Sequence, residues 1–188
     1  MTSKPFAPEP SDVYCVPLLV AAAIQDLEGH RPDLGTLARA LDVRVRQDSQ
    51  DPWGLKRADS RHPPGVTMSA LQKLLPAWLA GGGAEEITYS YRPIDTSRWE
   101  DPELVYRDLV HDDTHRTFVG AALDWSVLSE APKGSLHVVE VLSYRGSVAS
   151  IRDHSFSRTD VYTLPINTFE AAMYEAQGGL LVFRKANQ

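Results

Sequence analysis

The stretch Ser11-Asp12-Val13-Tyr14-Cys15-Val16-Pro17-Leu18-Leu19-Val20-Ala21-Ala22-Ala23-Ile24 decides how the rest of this chain is read. It holds the single cysteine of the 188 residues, and that cysteine opens the most apolar run in the protein. Pro17 has no backbone N–H, so it belongs in the first turn of a helix, where that donor has no partner in any case. Asp12 is expected as the cap and Glu28-Gly29 as the end of this helix. From Val16 to Ile24 every side chain is apolar, so the helix keeps no polar face and is expected to be buried on all sides. Cys15 then stands at the N-terminal end, where the helix dipole and unpaired N–H groups favour a thiolate. The same position also suits an inert core cysteine, because free cysteine is among the most buried residue types.

Working outward, the length fits one domain and the 43% hydrophobic content supports a real core. The formal net charge is -6 with no basic run, which argues against nucleic acid as a partner. One cysteine excludes an internal disulfide and a multi-cysteine metal site. Residues 1–10 are polar and broken by Pro5, Pro8 and Pro10, so they read as an extended arm, with residues 11–188 as a single domain. The arm lacks the apolar core of a signal peptide, and no apolar run has bilayer-spanning length. The expectation is a cytoplasmic protein, or one exported without a cleaved signal, with no membrane partner.

After the first helix, leucines 34, 37 and 41 mark a short amphipathic helix. Residues 44–64 are charged and broken by Pro52, Gly54, Pro63 and Pro64, and read as one long loop and a candidate cleft wall. Thr67 is expected to cap a helix that turns Leu71, Leu74 and Leu75 inward and ends at Gly81-Gly82-Gly83. A strand is expected over Ile87 to Tyr91, a helix over Pro102 to Val110, and a buried strand over Thr117 to Trp125. Leu136 to Leu142 and Val148 to Arg152 form a hairpin through Tyr144-Arg145-Gly146-Ser147. A short helix from Leu164 to Tyr174 and a closing strand from Gly179 to Arg184 complete the chain. Helices first and a mostly antiparallel sheet afterwards make an α+β pattern.

The hairpin places chemistry together. A two-residue turn at Arg145-Gly146 sets His137 opposite His154, and a three-residue loop over 144–146 sets it opposite Asp153. Opposed side chains share a face with Cβ atoms about 5 Å apart. Either register brings a histidine near a carboxylate. A base oriented by a third group is what a thiol nucleophile needs. Asp153 would hold the imidazole of His137 in one tautomer, and His137 would deprotonate Cys15. The competing reading is a half-buried His–Asp pair with a structural role.

With these residues assembled, the chain resembles the papain-like cysteine peptidases, and most closely the branch of bacterial peptidases that remove double-glycine leaders from bacteriocins. Asp12-Val13-Tyr14-Cys15-Val16-Pro17 followed by small apolar residues is similar to that branch's opening, with Val16 where a glycine is usual. Leu136-His137-Val138-Val139-Glu140-Val141 is similar to its histidine strand, and Ser150-Ile151-Arg152-Asp153 to its aspartate strand. A helix entered through an aromatic follows, as at Ile166 to Phe169. The resemblance implies a papain-like fold, a Cys15–His137–Asp153 triad and hydrolysis of a peptide or amide bond through an acyl-enzyme, without a cofactor. The same triad serves an acyltransferase, and a degenerate member holds a peptide without cutting it. An effector delivered into another cell would share the triad as well. The family normally has a glutamine before the cysteine to bind the oxyanion, whereas this chain reads Pro8-Glu9-Pro10-Ser11-Asp12. Ser11, or the Cys15 backbone N–H, stands in its place. His154 follows Asp153 where a proline is usual.

Other motifs carry less. His111-Asp112-Asp113-Thr114-His115 has the four-residue spacing of a helix-face metal pair, but no Glu follows His111, and a solvated helix end is the simpler reading. Gly81-Gly82-Gly83 lacks the Lys-Ser/Thr of a phosphate loop. The four tryptophans are most simply packing residues, with Trp53 and Trp99, in loops, as candidates for a cleft lining. Oligomeric state has no signal in the sequence.

Overall fold

The computed structural model describes residues 13–98, 100–110, 115–154 and 159–186. Helix α1 (Cys15–Glu28) is the expected central helix, with nine of its side chains from Val16 to Leu27 buried. Its cap position is Tyr14, which makes no side-chain cap bond, while Asp12 lies outside the described residues. Gly29 ends it in the left-handed conformation (φ 78°), donating its N–H to Gln25 O at 3.0 Å. Helix α2 (Leu34–Ala40) is capped by Asp33, whose Oδ1 accepts from Thr36 N–H at 2.7 Å. The loop over 44–64 is less open than its composition suggests. Strands β1 (Arg44–Val45) and β2 (Lys56–Arg57) pair in parallel inside it, and the Asp51 carboxylate accepts from Trp53 and Leu55 N–H. Helix α3 (Met68–Trp78) is capped by Thr67 as expected.

Strands β3 (Ile87–Pro93), β4 (His115–Asp124), β5 (Leu136–Arg145), β6 (Val148–His154), β7 (Thr159–Pro165) and β8 (Gly179–Ala186) form an antiparallel sheet in the order β3-β8-β4-β5-β6-β7. Helix α4 (Pro102–Val110) precedes β4, and α5 (Ile166–Glu175) precedes β8. Side chains alternate across the pleat, so one sheet covers two cores. Phe118, Ala122, Val138, Leu181 and Phe183 pack with α1 to α3, while Val119, Leu123, Val139, Val182 and Ile151 pack with α5. A Cβ added at Gly120 would lie 2.6 Å from Leu19 Cδ2, so a glycine lets α1 press directly on β4. The architecture among the described residues is α+β, with a six-stranded antiparallel sheet and five α-helices.

Two sequence expectations change. Strand β7 occupies residues read as the approach to a helix, and α5 starts at Ile166, two residues later than expected. His115 opens β4, so the four-residue histidine spacing does not continue a helix; His111 lies outside the described residues.

The hairpin register also differs from both expectations. Arg145 pairs with Val148, so the turn is Gly146-Ser147, with Gly146 at φ 60°. A bulge between Val141 and Ser143 then shifts the register, and Glu140 pairs with Arg152. Continued along the strands, that register sets Val139 opposite Asp153. His137 lies two residues further along the same face and meets Asp153 diagonally rather than directly.

Candidate active site

His137 is the second residue of β5 and is 3% exposed. Its Nε2 lies 2.8 Å from Oδ1 of Asp153, whose side chain is itself largely covered. The Trp125 ring meets the imidazole edge-on, with centroids 4.7 Å apart, and is 3% exposed. Strand pairing explains the contact: Leu123 pairs with His137, and the 3-10 turn Trp125–Val127 begins just beyond β4. A ring-walled, water-poor surrounding strengthens the bond between imidazole and carboxylate.

The Cys15 side chain lies near enough to the imidazole to favour its charged form. Cys15 is the first residue of α1 and is half-buried. Burial by itself disfavours the imidazolium, but hydrogen bonds and charge from Asp153 and Cys15 outweigh it and push the His137 pKa up to about 10.

Cys15 and His137 both line a cleft of about 590 Å³. The start of α1 contributes Val13 and Val16, and the segment leading into α3 contributes Pro63 to Met68. Gly134 to Val138 line it from the sheet side, together with Ala176-Gln177-Gly178 from the α5–β8 corner. Among the described residues, Arg46 adds a cationic side chain to the cleft lining. Asp124 holds the Gly134 wall in place. Its carboxylate, 1% exposed, accepts from Ser126 N–H at 2.9 Å and Gly134 N–H at 3.0 Å. Burial raises its pKa, but those hydrogen bonds outweigh it and the net shift is downward.

Three of the residues selected from sequence, Cys15, His137 and Asp153, are thus brought together. Ser11 and Asp12 lie outside the described residues. Trp53 is not among the cleft residues; it packs edge-on against Tyr14 at 5.0 Å and sits over Gly35. The loop over 44–64 reaches the cleft through Arg46, Pro63 and Pro64. Trp125, Asp124 and Gln177 were not selected from sequence. Trp125 offered only its aromatic character, and nothing local to Asp124 or Gln177 marks them.

Beside the site, on the opposite face of β5 and β6, Glu140 accepts from Arg152 at 3.0 Å and meets His154 Nε2 at 2.8 Å. His154 is therefore engaged by Glu140. The structure holds it away from the role of partner to His137, which one of the two expected registers would have given it.

Among the described residues, no group of three or more metal-ligating side chains gathers, and no helix is long and apolar enough to cross a membrane. Comparison with protein-family models, curated proteins and solved structures finds no match.

Proposed function

We propose that this chain is a papain-like thiol enzyme that cleaves a peptide or amide bond, with Cys15 as nucleophile, His137 as acid and base, and Asp153 as the orienting group. The observation that carries the reading is His137: one buried imidazole bonded to a carboxylate and close to a thiol, with the thiol and the ring both on a cleft wall. Asp153 occupies Nε2, which leaves Nδ1 to serve Cys15. Passage of the thiol proton to His137 generates the nucleophile at sulfur.

Sγ of Cys15 attacks the substrate carbonyl, and the C–O π electrons move to oxygen. The backbone N–H groups at the start of α1 are suited to bind that oxyanion. Collapse of the tetrahedral adduct breaks the C–N bond as His137 gives its proton to the departing amine. A thioester remains on Cys15. Water then attacks it, His137 takes the water proton, and the acid leaves with return of the pair to its resting state. An amine in place of water makes the same enzyme an acyltransferase.

The test is the rate of Cys15 alkylation by iodoacetamide as a function of pH, in wild type and His137→Ala. Fast wild-type alkylation at pH 6–7 that slows in the variant supports the reading. Equal, slow rates at every pH overturn it. They favour instead a cleft that holds a peptide without cutting it, a reading motivated by the missing glutamine before Cys15. If acyl transfer is found, Cys15→Ala abolishes it, and His137→Ala lowers it by roughly 10²–10⁴-fold, the usual size of a general acid–base contribution.

A further inference from the structure

Among the described residues, two that are not glycine adopt the left-handed backbone conformation, Asp42 at φ 52° and Gln177 at φ 46°. For Asp42 the cost has a local offset: Arg44 and Lys56 both reach its carboxylate at 2.9 Å. Gln177 has no such offset. Its side chain is exposed, makes no hydrogen bond among the described residues, and lines the cleft that holds Cys15 and His137.

The corner that carries Gln177 is built tightly. Gln177 N–H donates to Tyr174 O and Gly178 N–H to Met173 O, each at 3.0 Å, which closes α5 in the motif whose left-handed position is normally glycine. The chain places its glycines just after it instead. A Cβ at Gly178 would lie 2.3 Å from Ala122 O, and one at Gly179 would lie 2.4 Å from Arg92 O. Gly178 O also accepts from Ile94 N–H at 3.1 Å. The corner is thus clamped to β4 and to the end of β3. A glutamine stands at the one position of the corner where glycine would relieve strain. Strain of this kind persists where a side chain is needed in one place.

We propose that Gln177 is a substrate-binding residue of the cleft, whose carboxamide hydrogen-bonds an amide group of the acyl chain and so selects peptide-like over simple acyl groups. The proposal rests on the acyl-transfer reading of the same cleft. A primary carboxamide donates and accepts at once, which matches the N–H and C=O of a backbone amide. The clamped corner presents it with little ordering left to occur on binding.

The test compares acylation of Cys15 by two activated esters, p-nitrophenyl acetate, which has no amide, and the p-nitrophenyl ester of N-benzoylglycine, which has one. In Gln177→Gly, acylation by the amide-bearing ester falls about three- to tenfold relative to wild type, the size of one hydrogen bond. Acetylation falls much less, so the ratio of the two ester rates drops. Relief of the left-handed strain raises Tm by about 2–4 °C in the same variant. Gln177→Glu keeps the backbone cost but removes the donor, so it loses the discrimination without the rise in Tm. Unchanged discrimination in both variants, with wild type acylated normally, overturns the role of Gln177 and leaves the thiol mechanism standing. An unchanged Tm in Gln177→Gly overturns the strain argument whatever the kinetics show. Wild type that reacts with neither ester overturns the acyl-transfer reading, and the proposal falls with it.

Discussion

At the scale of single residues, the proton on His137 couples the site to folding. Its pKa rises from 6.5 to about 10 because Asp153 and Cys15 hold the charged ring against the opposing effect of burial. A raised pKa means that the folded state binds the proton more tightly than the unfolded chain. The resulting stabilisation is complete below about pH 6.5 and fades as pH climbs towards 10. The wild-type urea midpoint is expected to fall between pH 7 and pH 9.5. In Asp153→Asn the window narrows and the fall is smaller. Equal falls in the two proteins would remove Asp153 from the charge balance. Asp124 runs with the opposite sign: its lowered pKa gives a contribution present above the unfolded-chain value of 3.8 and lost as pH drops through its folded value. Asp124→Ala leaves the Ser126 and Gly134 donors without their acceptor, a cost of about 1–3 kcal/mol. Amide exchange at Gly134 is the sharper readout, since that N–H loses its partner directly.

At the scale of elements, backbone-to-backbone contact at the α5–β8 corner decides how the cleft is walled. Gly178→Ala drives a methyl group into the Ala122 carbonyl, a backbone atom that has no rotamer to retreat into. The expected loss is about 1–3 kcal/mol or more, read as a lowered urea midpoint. Gly29→Ala meets nothing within 4 Å, yet its φ of 78° makes alanine cost about 1–2 kcal/mol. The two variants cost similar amounts for different reasons. Compensating truncation of neighbours does not rescue Gly29→Ala, because its penalty lies in the φ angle itself. The bulge in β5 is the other element-scale decision. It converts an opposed His–Asp pair into a diagonal one while keeping both side chains on one face, so the 2.8 Å bond forms in a register that neither simple turn would produce.

At the scale of the whole molecule, α1 organises both the core and the site. Leu18, Leu19, Val20, Ala21, Ala23 and Ile24 are 0–1% exposed, and Leu19 lies against Gly120 at the middle of the sheet. Leu19→Ala is expected to cost about 2–5 kcal/mol, a large share of the 5–15 kcal/mol that holds an ordinary domain together. Its effect should appear first in the thermal midpoint, and any loss of Cys15 reactivity should track the unfolded fraction. Much of this was legible beforehand. An unbroken apolar run from Val16 to Ile24 has no stable place except an interior. Pro17 allows only a helix start, so Cys15 had to head a buried helix. The β-branched run in Leu136 to Val141, and a turn sequence after it, made a hairpin that carries His137 towards Asp153. Helix ends at Thr67 and Gly29 followed from side-chain or backbone chemistry within four residues. Strand β7 escaped because Thr159-Asp160-Val161-Tyr162-Thr163-Leu164 shows no clean polar–apolar alternation in sequence, although Leu164 is buried and Tyr162 packs on the same core. The bulge escaped because Val141-Leu142-Ser143 carries no local mark of an extra residue. Local chemistry thus determined which residues head helices, which faces are buried and that a thiol, an imidazole and a carboxylate are available. Tertiary structure alone decided that the Trp125 ring closes over His137, that Gln177 faces the same cleft, and that Cys15 meets the imidazole. Trp125 and His137 lie 12 residues apart, His137 and Gln177 40, and Cys15 and His137 122, and no local spacing along the chain announces that these segments meet.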